Sequence, residues 1–100
     1  MPRGSPRLRS EDGGQNRVGT RVRTRQKALE LTHDELCARI ARASGGQWNP
    51  SPGDIYRIHT QTRIVSDLEL VVLAQVLECG VLWLLGLASE LPNQQKASGS

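Results

Sequence analysis

One hundred residues, 37% apolar, with two tryptophans, one tyrosine and no phenylalanine, suffice for one compact domain with a modest core and exclude a second. The net charge of +3 is unevenly placed: residues 1–27 hold eight basic and two acidic side chains (+6), the remainder five and eight (−3). That layout suits a polyanionic partner or a solubilising arm.

Taken from the start, MPRGSPRLRSEDGGQN offers too little apolar surface to offset the entropy of ordering, so residues 1–16 read as a disordered basic arm. At Arg17 a helical pattern begins. Val18, Val22 and Leu29 fall on one face, and Arg17, Arg21 and Arg25 recur at i, i+4 on another; helix one is expected to end near Leu31. THDE at 32–35 is a capping box, opening helix two with Leu36, Cys37, Ile40 and Ala41. SGGQWNP, residues 44–50, is a loop.

Ser51 then stands as an N-cap, Pro52 fits the first helical position, and Asp54 places negative charge at the positive end of the dipole. Helix three is short. Only Ile55 and Ile58 need burial, which turns Gly53, Asp54, Tyr56 and Arg57 outward. Ser66 and Glu69 form another capping box, and Leu70, Val71, Leu73, Ala74, Val76 and Leu77 make a helix apolar on most sides, the expected centre of the core. Gly80 ends it, and VLWLLGL begins a fifth helix whose Leu82, Trp83 and Leu85 cap the core or meet a second copy. The chain from residue 88 reads as a flexible tail, most plainly in PNQQKASGS. The fold class is therefore all-α, five helices, in a domain spanning 17–87.

A membrane span over 71–87 is opposed by its short length and by Gln75, Glu78 and Gly80 within it. Cys37 and Cys79 lie far apart without a CxxC pair, and the N-terminus has no apolar signal segment; both cysteines read as small core residues in a reducing cytoplasm. Catalysis has little support. His33 and His59 accompany no nucleophile motif, no phosphate loop and no metal-ligand spacing, so they read as surface polar residues, with no metal, cofactor or small-molecule ligand implied.

A short, outward-polar third helix behind a capped second one describes a helix-turn-helix, in which helix three enters the major groove and helix two braces on the backbone. The amides opening helices two and three, at Thr32 and Ser51, can face phosphates. VGTRVRTRQKALELTHDEL and DIYRIHTQTRIVSDLELVVLAQVLECGVLWLLG resemble the XRE family of helix-turn-helix domains, the phage repressor and Cro type, over residues 17–87. The resemblance implies a regulator of transcription that binds double-stranded DNA. It places base contacts on Pro52, Gly53, Tyr56 and Arg57, and phosphate contacts on His33, Ser51, Thr60, Thr62 and Arg63, with help from the arginines of the arm and helix one. The chain departs from the family pattern at Pro52 and Gly53, where Gln, Ser or Thr is usual, at His59, where glutamate is usual, and in its longer loop before helix three. The alternative is the same fold reused as a protein-interaction module. Because one short helix reads little DNA, a homodimer is expected, joined through Leu82, Trp83 and Leu85, with Trp83 at the contact or buried beneath it.

Overall fold

The computed structural model describes residues 8–89. Within them the chain is all-helical, in the order α1 (Gly19–Ala28), α2 (His33–Ala43), α3 (Pro52–His59), α4 (Asp67–Val76) and α5 (Val81–Leu84). α1 packs on α3 and α5, and α2 on α3 and α4, so that α3 is held between the first two helices. No described helix is long and apolar enough to cross a membrane.

Local chemistry sets the helix starts. α2, α3 and α4 each open on a complete capping box: Thr32 with Glu35, Ser51 with Asp54, Ser66 with Glu69. In each box the hydroxyl accepts from the N3 amide and the N3 carboxylate accepts from the N-cap amide, an arrangement worth on the order of 1 kcal/mol per helix. α1 begins differently. Val18 provides no side-chain cap; instead Asn16 Oδ1 accepts from the amides of Val18 (3.0 Å) and Gly19 (2.9 Å).

The helix ends share one closure. Glu30, Gly45, Gln61, Glu78 and Gly86 all adopt positive φ, between 57° and 78°. Each lets the following amide reach back five residues to a helix carbonyl, as in Leu31 N to Gln26 O (3.0 Å) and Thr62 N to Arg57 O (2.9 Å). α1 therefore stops at Ala28, short of the expected Leu31, because Glu30 turns the chain while Leu29 and Leu31 still pack against the core.

The core comprises Val18 and Val22 from α1, Leu36 and Ile40 from α2, Ile55 and Ile58 from α3, Leu73, Ala74, Val76 and Leu77 from α4 and its cap, with Cys79 and Leu84 beyond. Burial pushes the Cys79 thiol up to about 11, and Cys37 is half-buried; both are free thiols. One expectation for the C-terminal half is revised: Leu84, rather than Leu82 or Leu85, is the α5 residue wholly inside the core, and on the largely apolar α4 Val71 is exposed.

The α1–α3 crossing is a backbone contact. A Cβ at Gly19 would lie 2.2 Å from the Ile58 carbonyl oxygen and 2.8 Å from that of His59, so only glycine permits this approach. The segment before α1 reinforces it. Asn16 Nδ2 donates to the carbonyls of Arg63 (2.9 Å) and Ile58 (3.3 Å), Gln61 Nε2 donates to Asn16 O (2.8 Å), and Gln15 N donates to Gln61 O (2.8 Å). Residues 10–14 form a turn, in which Ser10 N donates to Gly14 O, Gly13 N to Ser10 O and Gly14 N to Ser10 Oγ, with a further bond from the Ser10 hydroxyl to Asp12. The described part of the arm thus has fixed hydrogen bonds where composition predicts none; its first seven residues lie outside the described ones.

Candidate nucleic-acid interface

α3 divides cleanly into two faces. Ile55 and Ile58 are fully buried, and Gly53, Tyr56, Arg57 and Thr60 line the opposite side at i, i+3, i+4 and i+7, all exposed, Tyr56 at 61%. Ser51 and Pro52 are exposed at its start. At Gly53 a Cβ would make only ordinary contact, 3.6 Å from Arg57 Nη2 and from Ser51 Oγ, so no steric demand of the fold requires glycine there.

Arg57 is held in place. Its Nη2 donates to Asp54 Oδ1 at 3.0 Å, on the solvent side of the first turn. Asp54 Oδ2 meanwhile accepts from Ser51 N (2.9 Å), and these two bonds, the backbone one foremost, hold its carboxyl below the ordinary aspartate range. Thr60 and Thr62 close the far end: their hydroxyls are 3.0 Å apart, and Thr60 Oγ1 also donates to Tyr56 O (3.1 Å).

His33 and His59 are half-buried where the start of α2 meets the end of α3, not free on the surface as expected. Their rings meet edge to face, with centroids 5.2 Å apart. Between them lies Gln26, a polar residue of α1 only 4% exposed. Its amide is saturated: Nε2 donates to Leu31 O (3.0 Å) and contacts His33 Nδ1 (3.0 Å), and Oε1 contacts His59 Nε2 (2.8 Å). Burial, then the neighbouring His33, then Arg23 bring His59 down to about 4. The end of α3 is thus joined to α1 by an imidazole bonded to a neutral amide. Gln26 carried a signal in the sequence, a lone polar residue on the Val18–Val22–Leu29 face; Asn16 carried none.

The arginines have divided roles. Arg21 lies 4.7 Å over the Trp83 ring and donates to Trp83 O (3.1 Å), and Arg25 donates to Leu77 O (3.0 Å) and Glu78 O (3.3 Å), so both close the carbonyl ends of α4 and α5. Arg63 is clamped by both carboxylate oxygens of Glu69 (3.1 and 3.2 Å) and lies 5.8 Å from the Trp48 ring, which ties the long loop before α3 to the cap of α4. Arg17, Arg23 and Lys27 are exposed. Of the α5 residues, Leu82 is 55% exposed, and Trp83 and Leu85 are half-buried.

No family model matches the chain, and no curated protein or solved structure is significantly similar to it. The site therefore rests on its own geometry. An exposed stripe of Gly53, Tyr56, Arg57 and Thr60, flanked by the hydroxyls of Ser51 and Thr62, provides a guanidinium, a phenol and several hydroxyls on one rigid helix. Chemically such a face recognises by hydrogen bonding and stacking.

Proposed function

We propose that the chain is a helix-turn-helix DNA-binding regulator of the XRE type, with α2 bracing on the duplex backbone and α3 in the major groove. The observation that carries this reading is the outward stripe of α3, whose charged group, Arg57, pairs among the described residues only with its own helix's Asp54. That pair is solvent-exposed and worth under about 1 kcal/mol, so a guanine edge can compete for the guanidinium. Tyr56 supplies a hydroxyl and a ring surface beside it. Ser51, Thr60, Thr62 and His33 border the stripe as phosphate donors, whereas Arg63, engaged by Glu69, contributes to the α3–α4 connection more than to a phosphate. A cytoplasmic setting fits the two free thiols.

The test is selection of bound duplexes from a random pool, followed by Arg57→Ala. We expect a defined site, and a loss of about 1 to 3 kcal/mol on it, confined to one base step. Equal weakening on every duplex would assign Arg57 to a phosphate.

The second reading, a protein-interaction module, is favoured by Leu68 and Val71, 77% and 56% exposed on α4, and by the internal engagement of Arg21, Arg25 and Arg63. A pool that yields no preferred duplex, together with binding that does not depend on salt, would favour it.

A further inference from the structure

A cleft of ≈ 540 Å³ opens between α1, the start of α2 and the outer edge of α3, with Arg23, Lys27, His33 and Tyr56 among its walls and Gln26 behind them. Arg23 and Lys27 stand one turn apart on α1, exposed, and neither pairs with a carboxylate among the described residues. Like charges at that spacing work against a helix, and the fold uses neither. The acidic residues of the first turn of α2, Asp34 and Glu35, are not among the cleft walls.

Behind the cations, the buried amide fixes a proton. The Gln26 side-chain atom 3.0 Å from the Leu31 carbonyl must be its nitrogen, since two oxygens would repel there. The same nitrogen contacts His33 Nδ1, which therefore accepts, so the His33 proton resides on Nε2. The opposite amide atom, the oxygen, accepts from His59 Nε2. His33 is thus held with one ring N–H as a donor, in a cleft whose walls also carry Tyr56 and two cations unpaired among the described residues. Donors arriving from three helices suit a tetrahedral anion better than a flat carboxylate, and the cleft adjoins the Tyr56–Thr60 edge of the α3 stripe.

We propose that this cleft is a phosphate site, in which Arg23 and Lys27 supply the charge and His33 donates through an Nε2–H that Gln26, a positioning residue, holds in place. With a backbone phosphate of a duplex as the source it rests on the DNA-binding reading; with a free phosphate group it does not.

The experiment titrates the isotopically labelled full chain with inorganic phosphate, against chloride at equal ionic strength, while the His33 ring nitrogens and the Arg23 and Lys27 signals are followed. Saturable shifts confined to the cleft are expected, with His33 in the Nε2–H form before phosphate is added. The double variant Arg23→Gln/Lys27→Gln changes exposed side chains only and should abolish saturation at a thermal midpoint that does not fall. Gln26→Leu removes the donor to Nδ1 without adding a charge, so the His33 proton should distribute over both ring nitrogens and phosphate binding should weaken about twofold or more. In a second arm, the double variant should reduce the slope of log K against log salt on a selected duplex by about one to two. Saturation with an unchanged slope supports the site with free phosphate as its source, and a reduced slope supports the duplex. Phosphate saturation in a protein that binds no duplex at all would leave the site standing and remove only the DNA reading. Absence of saturable shifts together with an unchanged slope overturns the site, and an Nδ1–H His33 in the parent protein overturns the role of Gln26.

Discussion

The ring of His59 sits where a second positive charge is costly. Burial takes the ring out of water, His33 lies against it, and Arg23 adds repulsion from α1, so the folded chain binds that proton only at about pH 4. The unfolded chain binds it near about 6.5. Between those values the unfolded state holds more protons, so stability is complete above the upper value and falls as pH drops through the window. Because part of the ring meets solvent, we expect about 1 to 2 kcal/mol rather than the full linkage value. Urea unfolding of the parent and of His59→Gln at pH 7 and pH 4.5 checks this, since the variant should lose less stability on acidification. Identical losses would place the proton elsewhere.

At the scale of elements, the helices owe their ends to different kinds of residue. Three starts were legible in the sequence, because caps have a fixed chemistry over a few consecutive positions: Thr32–Glu35 and Ser66–Glu69 form capping boxes as read, and Ser51, read as an N-cap, also closes a box with Asp54. So was the division of α3 into buried isoleucines and an outward stripe. So, too, was the end of α3 near residue 59. The stops after α1 and α4 were not, because the left-handed positions there are Glu30 and Glu78, neither of which is the glycine that usually marks such a turn. The histidine pair was illegible for another reason: Gln26 and His59 are 33 residues apart, and only the packing of α1 against α3 brings them together. Glu30 provides the clean measurement. Its φ is 57° and its side chain bonds nothing among the described residues, so Glu30→Gly should raise stability by about 0.5 to 1 kcal/mol, read as a higher thermal midpoint. A lower midpoint would mean that glycine's added freedom in the unfolded chain outweighs the relief.

For the whole molecule, assembly is the open quantity. Leu82 and Leu87 are exposed, Trp83 is covered on one face by Arg21, and Leu84, with Val81, Trp83 and Leu85 packed beside it, closes the core. Leu82 can therefore be changed without opening the monomer. If two copies meet through α5, sedimentation at micromolar concentration should show a dimer, and Leu82→Asp should weaken it by at least about tenfold, on the order of 1.4 kcal/mol, at an unchanged helical content. A parent chain that sediments as a monomer both free and on DNA would remove the two-fold arrangement and the palindromic site it implies.

Asn16 also bears on where the functional unit begins. Composition suggests trimming the chain to Arg17, since everything earlier looks dispensable. Yet that cut would remove the side chain that caps α1 and, through Arg63 O and Ile58 O, ties the first helix to the last turn of the third. Not one core residue would be lost. A protein shortened to start at Arg17 is expected to be about 1 to 2 kcal/mol less stable than one started at Ser10, with its amide exchange raised at the C-terminal end of α3 rather than at the cut. Equal stability of the two shortened chains would show these bonds to be dispensable. If the expectation holds, a tag or cleavage site placed at the compositional boundary would alter the aim of α3 from forty residues away, and a lost activity would be blamed on the wrong helix.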